Sequence, residues 1–498
     1  MPNIIIKFLF SCIVILCYQC SIVCSQNESE IKPKQLVKDF DSFLSIIDAH
    51  PDPYTHISQE DFTAKVEEVR SSLNRPHTVL EFYKKIATVI ALMKDGHSSI
   101  GFPKNWFEKK RKKNGVFPYK MYLTNENDLY VIKKFNEGKI PVGAKIISIN
   151  GISVDSFLRK VDPFISYEKT NFRNTVIDGN FEEYLYLAFG NSNNTKMEYF
   201  VMDTVSTEIQ NMPYKEWKKF QKDDRDEREK KISEGRPYEY KKLQEGIGHI
   251  KIYSFSVSNI ELFDGFLMKT FKSIKNDSIH FLIIDVRGNF GGAPKVESRL
   301  LHYISDRHFK TVAKSNMKVS YPYRNNLLNR YPILRGDRPI ILIQKLHSIN
   351  INAILDNPIN SYVNEEAFYN EKPIKEKFEF KGDTFLLINR DSYSAASSFA
   401  STFQCYQMGT IIGEETGGTK IFRANAIYNE LFNSGIYIAM STTKLFATCF
   451  YQEMEGVKPL LEYKPSILEF TNDIDGCLLY TLRLIKKVQK EKAKLSGN

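Results

Sequence analysis

The chain has 498 residues, of which 42% are hydrophobic and 26% charged, and a formal net charge of +10. That length suits about three domains with a sizeable buried core, and the balance excludes a disordered or fibrous chain. The positive excess is scattered lysine with one dense run, Lys109-Lys110-Arg111-Lys112-Lys113. It lacks the recognisable fold or interleaved aromatics of a nucleic-acid site, so it reads as a solvated face and no nucleic-acid partner is expected.

At the start, Lys7 precedes the apolar stretch Phe8 to Val23, and Ser25-Gln26-Asn27-Glu28 turns polar. Residues 1–25 are therefore expected to be a secretory signal peptide. Four of the seven cysteines, Cys12, Cys17, Cys20 and Cys24, fall inside it. Membrane association is expected only if Cys24 is lipidated, and Val23 stands where a lipidation motif wants a small residue. Cys405, Cys449 and Cys477 remain, too few and too irregularly spaced for a disulfide framework or a zinc site, and no metal is expected. An exported protein in the periplasm or at the cell surface is the expectation.

Residues 26–110 read as an N-terminal helical domain: Leu36, Val37, Phe40, Phe43, Leu44 and Ile47 recur at helical spacing, as do Val79, Phe82, Tyr83, Ile86, Val89, Ile90 and Met93. The turn Lys94-Asp95-Gly96-His97 follows, and His97 has a side chain suited to general-base work near neutral pH. Residues 111–175 hold short strand candidates and a hairpin around Asn150-Gly151. The run Pro141 to Val154 resembles the late half of a PDZ domain, a fold that captures peptide ends as an added strand. Residues 176–245 are read as a connecting segment, with charged Lys215 to Lys242 a solvated excursion. Residues 246–480 form the expected core, with a roofing insertion over 302–381, and 481–498 read as a basic tail.

Two strand-to-turn motifs carry the chemistry. His280 to Asp285 is an apolar strand that runs into Val286-Arg287-Gly288-Asn289-Phe290-Gly291-Gly292, where glycines permit close backbone approach to a ligand. Phe385 to Ile388 is another, broken by Asn389-Arg390-Asp391 before Ser394-Ala395-Ala396-Ser397-Ser398 opens a helix. This presents a serine at a helix N-terminus, where unpaired N–H groups favour a developing oxyanion. Ile411-Ile412 then leads into the glycine turn Gly413 to Gly418. No HExxH zinc motif occurs, and Gly413 to Lys420 has threonine where a phosphate loop needs lysine, so no nucleotide is expected.

Together, the turn Arg287 to Gly292, the Tyr393 to Ala400 run and the Ile411 to Thr419 run resemble the tail-specific, or C-terminal-processing, serine peptidases and their tricorn-core relatives, over about Gly246 to Ser466. The resemblance implies a crotonase-like α/β peptidase core carrying accessory domains. It makes Ser394 the nucleophile, with the N–H of Ala395 and of Gly291 or Gly292 as oxyanion hole. The tail-specific branch takes its base from a lysine in GExTxGKG; here Thr419 fills that slot and Lys420 falls one residue late, on the opposite face of a strand. The tricorn-like branch uses a histidine from before the PDZ-like domain, which maps onto His97, although Gly96 stands where that branch has a serine. Its late glutamate maps onto Glu453, with Glu455 the near alternative. The implied protein is an exported serine endopeptidase acting on polypeptides by a Ser-His(-Glu) mechanism, without cofactor. One rival is an inactive relative that binds peptides or ligands on the same scaffold, favoured by Thr419 and Gly96. The other is an acyl-thioester enzyme, disfavoured by the leader.

Overall fold

A computed structural model of the protein describes residues 30–190, 194–223, 227–332, 351–368, 379–449 and 452–495. The expected signal peptide and Cys24 lie outside the described residues, as does part of the 302–381 insertion. No described helix is long and apolar enough to cross a membrane.

The strands Phe281–Asp285 and Asp383–Ile388 are buried on both faces, which explains their unbroken apolar runs. Leu282, Ile284, Leu386 and Ile388 point into one hydrophobic cluster; Phe281, Ile283, Phe385 and Leu387 point into another on the opposite face. These two strands are the centre of a six-stranded sheet in the order Leu461–Glu462, Thr410–Gly413, Asp383–Ile388, Phe281–Asp285, Ile247–Ile252 and Tyr238–Gln244. All neighbours are parallel except the last pair. The helices Ile260–Asn276, Pro294–Ile304 and Ala395–Cys405 contribute Phe263, Leu267, Leu300, Phe399 and Phe403 to the cluster on one face. The helix Gly476–Leu495 supplies the other with Cys477, Leu478, Leu482, Ile485 and Val488.

Two regions depart from the sequence reading. The expected basic tail is most of that covering helix, because its apolar stripe outweighs the solvated lysines between. The expected solvated excursion ends in the strand Tyr238–Gln244, which closes the sheet edge.

Upstream, the helices Pro33–Ile47, Gln59–Ser71 and Val79–Ala91 pack through Phe40, Phe43, Phe62, Phe82 and Ile86. The third opens with a capping box between Thr78 and Glu81. A five-stranded path follows, Tyr119–Leu123, Leu129–Lys134, Lys145–Ile149, Asn194–Phe200 and Thr204–Gln210, and Ile152–Ser153 folds back on Lys145–Ile149. The hairpin turn is Asn150-Gly151, both with positive φ as its two-residue geometry requires. The last two strands come from the expected connecting segment; they lengthen the sheet beyond residue 175.

Late segments join these regions. Val312–Lys318 and Tyr362–Phe368 pair with Thr443–Phe446 and Ile421–Ala424 in a four-stranded sheet. Ser99–Ile100, directly after His97, pairs with Tyr437–Met440, so the histidine turn is hydrogen-bonded onto the chain that follows the serine helix. A disulfide between Cys405 and Cys449 ties the end of that helix to the segment before Glu453, a pairing the irregular cysteine spacing did not reveal.

Candidate active site

The loop between the strand Asp383–Ile388 and the helix Ala395–Cys405 is pinned at nearly every residue. Ser392 Oγ donates to the Val286 carbonyl at 2.9 Å, and the Tyr393 N–H donates to the Asn289 carbonyl at 3.0 Å. Asn389 Oδ1 accepts from the N–H of Gly288 at 3.0 Å and of Asp391 at 3.2 Å. Arg390 donates to the Leu123 carbonyl and to Asp178, with its guanidinium over the Tyr122 ring. These bonds hold Ser394 at φ 55° and ψ −122°, a conformation a non-glycine residue adopts only under constraint. A strained serine between strand and helix exposes its Oγ over the helix N-terminus. Its hydroxyl makes no capping bond, and the N–H of Ala395 has no acceptor among the described residues.

The glycine turn lies directly against this serine. A carbon added to Gly291 would sit 2.6 Å from Ser394 Cβ and 2.8 Å from the Ala395 nitrogen. The Gly291 N–H is already donated to Asn289 Oδ1 at 2.8 Å, which leaves the N–H of Gly292 as the one of the pair without an acceptor among the described residues. Gly292 has a second duty: a carbon there would lie 2.1 Å from the Phe255 carbonyl carbon.

His97 enters from the far end of the chain. Its ring stacks on Tyr393, the neighbour of Ser394, at 4.6 Å between centroids, and on Phe422 at 5.9 Å. Nδ1 lies 2.9 Å from Tyr393 Oη; Nε2 is buried with no hydrogen-bond partner among the described residues, Ser394 Oγ included. Burial lowers the imidazole pKa below its ordinary 6.5, with the Asp95 charge opposing, so the ring is neutral at neutral pH.

Asp95 and Glu168 surround the ring. Asp95, fully buried, accepts from the His97 N–H at 2.9 Å, from Ser98 Oγ at 2.5 Å and from His50 Nε2 at 3.3 Å, and its carboxylate lies 3.9 Å from His97 Nδ1. Burial alone would raise its pKa, but the His50 bond and charge, the His97 charge and Ser98 together hold it well below the usual carboxylate range. Glu168 is 3.4 Å from Tyr393 Oη through either oxygen, and burial, reinforced by Asp95, pushes it up to about 8. Asp95 and Glu168 were missed in the sequence; Asp95 is two residues from the histidine, whereas Glu168 carries no local signal at all.

The structure does not bring Glu453 to His97. It pairs instead with Arg423 at 3.2 Å and Lys444 at 2.5 Å, two cations that also hold Asp52 at 2.6 and 2.9 Å. Opposite charge draws Glu453 into that cluster, which is linked to the histidine turn through Arg423, Asp52, His50 and Asp95. Lys420 Nζ pairs with Glu455 at 3.2 Å. Asp95, His97 and Glu168 offer metal-ligand atoms within 4.8 Å of one another, a group already engaged by Tyr393, His50 and Ser98.

No curated protein sequence matches the chain. Solved structures that share its fold include mature CPAF complexed with lactacystin, with TM-score 0.60, 13% identity and coverage of 92% of this chain and 98% of that one, and mature CPAF alone, with TM-score 0.61, 13% identity and coverage of 94% and 99%. Residues 246–462, which contain the glycine turn, the strained serine and its helix, match Peptidase family S41. With Ser394 held in a strained turn at a helix N-terminus inside that match, the chain carries a region similar to peptidase family S41 and is a serine-type peptidase.

Proposed function

We propose that this chain is an exported endopeptidase, with Ser394 as nucleophile and His97 as general base, acting on extended polypeptide. Ser394 Oγ bonds to the peptide carbonyl carbon while His97 Nε2 takes its proton. The N–H groups of Ala395 and Gly292 receive the oxyanion, and His97 returns the proton to the leaving amine as the C–N bond breaks. Water then releases the acyl group by the same route in reverse. Asp95, ionised 3.9 Å from Nδ1, stabilises the imidazolium in the place expected of Glu453, which serves to fix Arg423. A crotonase-like core and a PDZ-like sheet over residues 119–210 complete this reading.

The observation that carries it is the backbone of Ser394, strained to φ 55° at the start of a helix and faced by a glycine that has no room for a side chain. The Cys405–Cys449 disulfide supports export, since such bonds persist in oxidising compartments. The test is labelling by a fluorophosphonate probe alongside cleavage of an unfolded polypeptide. Both are expected in the wild type and lost in Ser394→Ala and in His97→Ala. A folded wild-type chain that neither labels nor cleaves would instead be a binding scaffold.

A further inference from the structure

We infer that Tyr393 and Glu168 are positioning residues for His97: a carboxyl–phenol–imidazole chain that decides which ring nitrogen carries the proton. The inference rests on the reading of His97 as the base.

Four aromatic rings form a stack in the order Phe172, Tyr393, His97, Phe422. Phe172 lies 3.9 Å from Tyr393 at 8°, Tyr393 lies 4.6 Å from His97 at 27°, and Phe422 follows at 5.9 Å. The ring planes are thereby set, leaving hydrogen bonding at Nδ1 to set the direction of Nε2. The bond available there is Tyr393 Oη at 2.9 Å. A buried phenol needs a partner on its other side, and Glu168 supplies it. Gly96 leaves the space for this meeting, because a carbon there would lie 2.5 Å from Tyr393 Oη and 2.7 Å from Glu168 Oε2.

The chain accommodates two proton arrangements. In the productive one His97 Nδ1–H donates to Tyr393 Oη, the phenol donates to Glu168, and Nε2 keeps the lone pair that serves as base. In the other, a protonated Glu168 donates to the phenol, the phenol donates to Nδ1, and Nε2 carries the hydrogen and is no base. Ionised Glu168 has only acceptors, so it enforces the first. Asp95 and His97 face Glu168 from the histidine turn, Tyr393 from the serine loop, and Arg423, itself held by Asp52 and Glu453, from the strand Ile421–Ala424. Burial and Asp95 oppose the ionisation, while backbone N–H groups of Glu168 and Gly96 and the Arg423 charge favour it. As Glu168 loses its proton, turnover rises a second time, on the alkaline side of the His97 step.

The experiment measures kcat and KM on one peptide from acid to alkaline pH for wild type, Tyr393→Phe, Glu168→Gln and His97→Ala. Phenylalanine keeps the stack and removes only the hydroxyl. Its kcat is expected to fall about 10- to 100-fold, the usual loss for a partner that orients a functional imidazole, with KM nearly unchanged. Glu168→Gln is expected to keep the acid limb and lose the alkaline step. A Tyr393→Phe enzyme equal to wild type at every pH, beside an inactive His97→Ala, overturns the positioning chain and leaves the base assignment standing. Full activity in His97→Ala overturns the base assignment itself. Should Tyr393→Phe melt early, the Glu168→Gln profile decides, and an unchanged alkaline step counts against the chain.

Discussion

Tyr393 Oη occupies the space in which Gly96 would carry a side chain: the residue before Ser394 fills the room denied to the residue before His97, with 2.5 Å between that oxygen and an added carbon. The two ends of the site are therefore fitted to each other. In Gly96→Ala the added methyl meets three buried groups, Tyr393, Glu168 and Phe172. The expected result is a loss of roughly 1–3 kcal/mol in stability from overpacking, with kcat down about tenfold or more as the phenol leaves Nδ1. Thermal melting and peptide hydrolysis on the same preparation check both, and undiminished turnover contradicts the fit.

The two glycines of the turn should separate under the same substitution. Gly291→Ala places a methyl against Ser394 Cβ and the Ala395 nitrogen, so activity and probe labelling are expected to fall about 100- to 1,000-fold, the scale of a lost oxyanion donor. Gly292→Ala drives a carbon into the Phe255 backbone, so its main effect is expected in the melting temperature. Equal losses of stability in the two variants, with normal activity in what remains folded, would make both glycines structural.

The base assignment proposed for His97 has a pH signature. Only neutral His97 accepts a proton, and burial lowers its pKa, so activity should rise with pH to a midpoint below about 6.5. Lys420, already paired with Glu455, is expected to tolerate alanine with a mild effect. A profile that instead climbs only where a lysine deprotonates, with Lys420→Ala inactive, would reassign the base.

The disulfide closes a loop across a sequence separation of 44 residues. In the chain-entropy picture such a closure stabilises by about 2–4 kcal/mol. Cys405→Ser, or dithiothreitol, is expected to lower the melting temperature by several degrees, read by circular dichroism with and without reductant. An identical melt in both conditions would show the bridge to be absent in solution.

Much of the serine side of the site was legible. An apolar run short enough for a buried strand, a break at Asn389-Arg390-Asp391 and a string of small residues are local signals, and they matched the strand, loop and helix that hold Ser394. The histidine side was legible only as a residue. What directs His97 comes from Glu168, Tyr393, Phe172 and Phe422, which meet through tertiary contacts and carry no mark of it in sequence. Glu453 illustrates the opposite difficulty, because a motif position says nothing about the cations Arg423 and Lys444 that fold beside it. The C-terminal helix was missed for a plainer reason. Its five lysines after residue 485 drew attention from Leu478, Leu482, Ile485 and Val488, whose spacing marks a helical stripe.

The serine helix belongs to the cluster built on the parallel sheet, while the helix leading to His97 belongs to the one built by the N-terminal helices and the upstream sheet. Ser394 and His97 thus stand on opposite banks of a seam between two separately packed interiors, bridged by the stacking of Tyr393 on His97. Warming or mild denaturant that loosens the seam parts the two groups while each interior is still intact. Turnover should then fade at a lower temperature than circular dichroism detects unfolding, which makes catalysis the more sensitive reporter of how the two halves are joined.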